Sequence, residues 1–248
     1  MISKTNIKDN LLSVAVILAV IFAVLRSYIN YLQPVDHKQI FTKIFETDAW
    51  HGGYGNRKES NGRYLDFLQY FINTAPIKSI VDIGCADWNL MRHIKIPETI
   101  DYLGIDIVDK IIENNNKRYK SKNIRFEANN SVNDLTKYKG DLLIIKDVLH
   151  VWGNHEILFA IEKIIPNFKY AIIVNNIWLH GSPSMNSEIK AGNSRPIDLE
   201  IAPFSMKLKV MFDYYVPPCR KKRAYLYIRD EQKDWSDNRW KKIVNGLK

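Results

Sequence analysis

Cysteine is nearly absent from this chain, with two residues, Cys85 and Cys219, among 248. Two thiols cannot staple a secreted scaffold or complete a four-cysteine zinc site, and they suit a reducing compartment. No group of His, Cys, Asp and Glu has metal-ligand spacing, so no metal site is expected. Internal repeats and long low-complexity stretches are missing too. Only one long run is apolar almost throughout, near the N-terminus, which excludes a polytopic membrane protein. What remains is the composition of a folded protein, 46% hydrophobic and 25% charged. The length allows one large domain or two small ones, with a core that needs no staple. Lys and Arg outnumber Asp and Glu by 36 to 27, a formal charge of +9.

The run is Leu11 to Leu25, LLSVAVILAVIFAVL, fifteen residues without a charge. As a helix it spans about 22 Å at 1.5 Å per residue, short of a hydrocarbon core of about 30 Å. The flanks lengthen it: Arg26 can snorkel, and Tyr28, Ile29, Tyr31 and Leu32 continue the apolar and aromatic character. No polar stripe interrupts the run, which favours a lipid-facing anchor. A cleaved signal peptide and a buried core helix are the rivals. AVLRS is a poor cleavage site.

Residues 33–78 read as a connector, with Pro34 closing the anchor and a Gly-rich loop at His51-Gly-Gly-Tyr-Gly-Asn56. A helix then follows over Arg63–Asn73, where apolar residues recur at 64, 65, 67, 68, 71 and 72. From residue 79 the pattern changes to short apolar runs, at 79–83, 102–105, 124–126, 141–145 and 170–174. Helical patterns over 89–96, 109–119 and 156–165 separate them. Strands that are apolar throughout, alternating with helices, predict an α/β fold with a mostly parallel sheet covered on both faces. Runs at 208–216 and 223–228 alternate apolar with polar and predict an antiparallel hairpin that completes seven strands. The predicted organisation is an anchor at 1–32, the connector at 33–78, a core at 79–230 and a basic tail at 231–248.

In such a sheet, ligands bind at the carboxyl ends of the strands, near the point where strand order reverses. The first strand ends in Asp82-Ile-Gly84-Cys85-Ala86-Asp-Trp88, and the second in Gly104-Ile-Asp106-Ile107. Gly84 permits a tight turn, and Asp106, 22 positions on, can accept from both hydroxyls of a ribose. A dinucleotide would need G-x-G-x-x-G, but Ala86 and Asn89 stand where the later glycines belong. The loop instead resembles the D-x-G-C-G-x-G motif of class I S-adenosylmethionine (SAM)-dependent methyltransferases. Ala86 and Trp88 replace its second and third glycines. Tyr102 to Ile107 is similar to that family's second motif, and Asp141 to His150 to its fourth strand. Gly52 to Asn56 resembles the S-G-P-G-S loop of a bacterial subgroup, and Arg195 to Leu199 with Ala202-Pro-Phe204 its R-x-L-N-L…P-F segment.

The resemblance implies a Rossmann-like fold with SAM as cofactor, held by Asp82, Gly84, Cys85, Ala86, Asp106, Ile107 and an amide from Asn130 or Asn129. It implies catalytic roles for Asp147 and His150 at the fourth strand's end, and acceptor contacts from His51, Tyr54, Asn175 and Arg195. Each of these has a plainer reading: Cys85 as a small buried residue, Trp88 as packing, the asparagines as turns. A nicotinamide-dependent oxidoreductase and a non-catalytic, membrane-attached SAM-binding module are the competing functions.

Pro218 to Lys248 carries ten Lys/Arg against four acids. With an anchor present, this points to anionic lipid headgroups. No stacking motif or nucleic-acid reader is visible, so nucleic acid is not an expected partner. The expected acceptor is a small molecule, a glycan or a lipid-linked sugar. Because SAM is cytosolic and the thiols suit a reducing space, the expected location is a single-pass membrane protein with its catalytic part facing the cytoplasm.

Overall fold

The computed structural model describes residues 17, 19–22, 36–47, 57–179, 184–190, 192–217 and 220–229. The chain forms two compact units, Met1–Asp36 and His37–Lys248. In the first, residues 17 and 19–22 are helical, and Ile17, Val20, Ile21 and Phe22 are exposed. Among the described residues no helix is long and apolar enough to cross a membrane; most of the expected anchor lies outside them.

The second unit is built on seven strands: β1 (Ser79–Ile83), β2 (Asp101–Asp106), β3 (Ile124–Ala128), β4 (Gly140–Lys146), β5 (Phe168–Leu179), β6 (Lys209–Val216) and β7 (Arg220–Ile228). Their order is β3-β2-β1-β4-β5-β7-β6. The first five run parallel, and β7 pairs antiparallel with both β5 and β6. The chain leaves β1 toward β2 and later returns to the other side of β1 with β4. Strand order therefore reverses between β1 and β4, which opens a crevice at their carboxyl ends. Both sheet faces are covered, as the apolar strands require. On one face α2 (Gly62–Thr74) lays Tyr64, Phe67, Leu68 and Phe71 over Ile80, Leu142, Tyr170 and Ile172. Ile112 of α3 (Asp109–Tyr119) joins the same cluster. On the other face Ile157 of α4 (Asn154–Phe159), with Ala160 and Ile164, packs on Leu143, Ile145 and Ile173.

Three local departures from the sequence pattern have physical causes. The helix expected over 89–96 is a single 3-10 turn at Met91–His93. Trp88, at a left-handed φ of +57°, and Pro97 leave too few residues for a helix. The helix expected over 156–165 starts earlier, at Asn154, where Glu156 accepts the Gly153 N–H at 2.7 Å. It then loosens into a π turn at Ala160–Ile164, and Pro166 closes it. Finally, the connector contains α1 (His37–Glu46), which the sequence reading missed. Phe41 of α1 packs on the second core cluster, and Lys38 reaches Asp109 at 2.9 Å.

Candidate functional site

The turn after β1 is fixed by its neighbours. The N–H groups of Gly84 and Cys85 both donate to the Ile105 carbonyl, at 2.8 and 3.0 Å. Asp106 accepts the Ala86 N–H on one oxygen at 3.1 Å and the Val108 N–H on the other at 3.0 Å. From α3, Asn115 Nδ2 donates to the Ala86 carbonyl at 2.7 Å. Gly84 has φ +73°, and a Cβ there would lie 2.4 Å from a Val148 methyl, so both conformation and space demand glycine.

Ala86 and Trp88 carry φ values of +47° and +57°. These are the two positions where the resembled motif has glycine, and the backbone keeps a glycine-like shape without glycine. Such conformations cost an L-residue roughly 1–2 kcal/mol each. The loop meets that cost through the hydrogen bonds above and through burial of the Trp88 ring against Tyr102, Tyr119 and Phe126.

The turn forms one wall of a small open cleft in the crevice between β1 and β4. Tyr64, Leu90, Met91, Ile144 and Lys146 complete it. Asp82 lines its floor, buried, and accepts the Tyr102 hydroxyl at 2.6 Å. Burial pushes the Asp82 carboxyl up to about 7, against the opposing pull of that hydrogen bond and of Lys146. Burial also raises Asp106, opposed by the N–H groups of Val108, Ala86 and Ile107. The buried Cys85 thiol is pushed well up, first by desolvation and then by Asp106 and Asp82, which removes it as a nucleophile.

Beside the cleft lies a second polar cluster. Asp147, at φ +60°, directs one carboxylate oxygen to Lys146 at 2.5 Å and to Lys222. The two ammonium groups, opposing its desolvation, hold this carboxyl well below the usual carboxylate range. Asp147 is therefore a weak proton acceptor that positions lysines. His150 is buried and pushed down to about 4, first by desolvation, so it is neutral at physiological pH, and its Nδ1 has no partner. Asn175 and Asn176 are buried within β5, just past its last pairing with β4, with Asn175 Nδ2 and both side-chain oxygens unpartnered. Sequence reasoning missed Lys222. Its signal was parity: in β7 the inward positions are 222, 224, 226 and 228, and a lysine there breaks the apolar alternation.

The remaining candidates separate. Asn130 is exposed, and its oxygen takes Lys38 at 2.9 Å; Asn129 is buried, with Oδ1 unpartnered, and is the better-placed amide. Arg195, expected at the acceptor, is instead fully buried as a clamp. It donates to the carbonyls of Ser187 (2.9 Å), Leu149 (3.1 Å) and Trp152 (2.5 Å) and to Asn154 Oδ1 (2.7 Å). His51 and Tyr54 lie outside the described residues. Among the described residues no group of three or more His, Cys, Asp or Glu could hold a metal ion.

No protein-family model matches the chain, and no curated protein matches it by sequence. Solved structures do. Magnesium protoporphyrin IX methyltransferase from Synechocystis PCC 6803, with bound S-adenosylhomocysteine (SAH), superposes with a TM-score of 0.55 at 15% identity, over 79% of this chain and 100% of its own. Human N-acetylserotonin methyltransferase, in complex with SAM, gives 0.53 at 14%, over 79% and 60%. TehB from Haemophilus influenzae gives 0.50 at 12%, over 66% and 62%. The chain has the class I SAM-dependent methyltransferase fold. It spans about three-fifths of the length of the human enzyme and of TehB.

Proposed function

We propose that this protein is a SAM-dependent methyltransferase whose acceptor is a small molecule, a glycan or a lipid-linked sugar. The observation that carries this reading is the left-handed turn at Gly84, Ala86 and Trp88, pinned to Asp106 at the point of strand reversal. That turn keeps the shape of the resembled motif where two of its glycines are gone.

The donor set suits the cofactor. Each Asp106 oxygen accepts one backbone N–H and retains a lone pair for a ribose hydroxyl. Asn129 Oδ1 is an orphaned buried acceptor near the end of β3, suited to the adenine amino group. Asp82 and Lys146 put a carboxyl acceptor and a cation on one cleft, which suits an amino-acid zwitterion. When bound, SAM supplies a methyl group on a sulfonium whose leaving group is neutral. The protein's main contribution is then alignment of acceptor and methyl group, which supplies several kcal/mol. Asp147, His150 and Asn175 border the space left for the acceptor. In the full chain the N-terminal unit serves as a single-pass anchor, with the catalytic unit on the cytoplasmic side.

The test is calorimetry with SAM, SAH and NAD. SAM and SAH bind and NAD does not. Asp106→Ala weakens SAM binding about tenfold to a hundredfold, matching the 1.5–3 kcal/mol of hydrogen bonds to a charged group. Unchanged affinity in a folded variant overturns the role of Asp106, and binding of NAD alone overturns the reading.

A further inference from the structure

Beside the cofactor cleft, one group of buried charges includes a lysine, Lys222, that has no task in the reading above. Lys146 from β4 and Lys222 from β7 converge on a single oxygen of Asp147, while Oδ1 of that carboxylate has no partner. The Lys222 side chain is 1% exposed, yet the cluster reaches the cleft through Lys146, which lines it. Three further polar atoms nearby are buried and unpartnered: the Tyr64 hydroxyl, Asn176 Oδ1 and His150 Nδ1. Asn176 is the direct strand partner of Lys222, and Tyr64 lines the cleft beside Lys146. Native proteins pair their buried polar groups, so unmet atoms gathered at strand ends mark a place that a ligand completes. The left-handed backbone of Asp147, a non-glycine residue, is strain of the kind that collects at working sites.

We propose that the acceptor's reacting atom docks at this cluster, that it is the oxygen of an acidic hydroxyl, phenolic or enolic, and that Lys222 receives its proton. This rests on the methyltransferase reading and narrows it away from sugar alcohols.

Charge argues for oxygen. Once Lys222 holds the transferred proton, two ammonium groups face one carboxylate, so the oxyanion that develops on the acceptor is stabilised. The groups around Lys222 come from every packed element: Lys146 and Asp147 at the end of β4, His150 in the next turn, Asn176 on β5, Tyr214 on β6, Arg220 on β7 and Tyr64 on α2. Tyr214 is occupied, donating to Asn61 Oδ1 at 3.1 Å. Burial, with Lys146 and Arg220, pushes the Lys222 amine down to about 7, while Asp147 pulls it up. An amine so placed exists in both forms at neutral pH, as a proton acceptor must. Asp147 and His150 bind protons too weakly for that role. A phenol ionises near 10, about three units above Lys222, whereas an unactivated hydroxyl lies closer to water at about 15.7.

In the step itself, the hydroxyl proton moves to Lys222 Nζ as the oxygen bonds to the donor's methyl carbon. The methyl–sulfur bond breaks and its electron pair stays on sulfur as the neutral thioether. The ammonium then returns the proton to solvent.

The probe is p-nitrophenol, colourless as the phenol and yellow as the phenolate, added at pH 6 to full-length protein saturated with SAH. The expected result is phenolate colour about tenfold above buffer at the same pH, one pKa unit of stabilisation. Lys222→Met and Lys222→Gln lose that colour while binding SAH as the wild type does; Lys110→Gln, an exposed lysine on α3, keeps it. Colour absent from the SAH-bound wild type, or persisting in whichever Lys222 variant still binds SAH, overturns this proposal and leaves the methyltransferase reading standing. Failure of the wild type to bind SAH overturns both.

Discussion

One methyl group separates Ala86 from the glycine that its backbone asks for. At φ +47° the side chain is strained by roughly 1–2 kcal/mol, and glycine's unfolded-state freedom returns about 0.5–1 kcal/mol of that. Ala86→Gly should therefore raise stability by up to about 1 kcal/mol, read as a higher urea midpoint at unchanged m-value. Asp82 gives a second residue-scale prediction. Its folded pKa, about 7, lies above the ordinary 3.8, so the folded state binds the proton more tightly than the unfolded chain. Its contribution to stability is fully present below pH 3.8 and is lost as pH rises to about 7. Asp82→Asn lacks this dependence. The variant should gain on the wild type between pH 4 and 7, by at most about 1.4 kcal/mol per pH unit. Parallel pH profiles of the two unfolding free energies would show the carboxyl to be ordinary. At this scale the sequence was legible where a residue type serves backbone shape or hydrogen bonding, as with Gly84 and Asp106. It was misleading at Arg195, because a buried clamp and a substrate contact look alike in one dimension.

The elements divide in the same manner. Helix α3 is read from sequence with its bounds intact, because Ile111, Ile112 and Asn115 share one buried face of a solvated helix. Helix α1 was hidden in the connector, although Ile40, Phe41, Ile44 and Phe45 already repeat at helical spacing. Its docking depends on distant partners that no local pattern shows. His37 pairs with Glu156 of α4, each side chain about 10% exposed, and Ile40 and Ile44 close on Gly192. Arg195 is likewise a joint between elements. It ties the segment at 184–200 to the turn at Leu149 and Trp152 and to the start of α4. Arg195→Ala strands three carbonyls at about 1–3 kcal/mol each where they stay dry. A loss of about 3–5 kcal/mol in thermal or urea unfolding is expected. A loss under 1 kcal/mol would mean that water replaces the guanidinium and that the joint is dispensable.

Across the whole molecule, the strand-and-helix alternation sufficed for the fold class, because apolar strands joined by crossovers leave only a few parallel arrangements, both faces covered. Charge was less legible. Within the basic C-terminal run, Lys221 pairs with Asp213, Lys222 with Asp147, and Arg223 with Asp213 and Asp198. Part of the apparent basic face is thus neutralised within the fold, which leaves fewer charges for the proposed contact with lipid. The division at Asp36 separates an N-terminal unit containing the uncharged run from the unit that carries the proposed site, so the proposed anchor and the proposed chemistry can be tested apart. Lys4 and Lys8 before the run and Arg26, Lys38 and Lys43 after it balance closely, and the positive-inside rule gives no orientation. The proposed chemistry favours a cytoplasmic site, since the proposed methyl donor is cytosolic. Full-length protein tagged at its C-terminus should stay in the membrane fraction through high-salt washing. Its tag should survive protease on right-side-out membranes until they are lysed. A chain lacking residues 1–36 should appear in the soluble fraction and still bind SAH. Release of the full chain by salt would defeat the anchor. Digestion of the tag without lysis would place the catalytic unit outside, away from the donor that the Asp106 turn is proposed to hold.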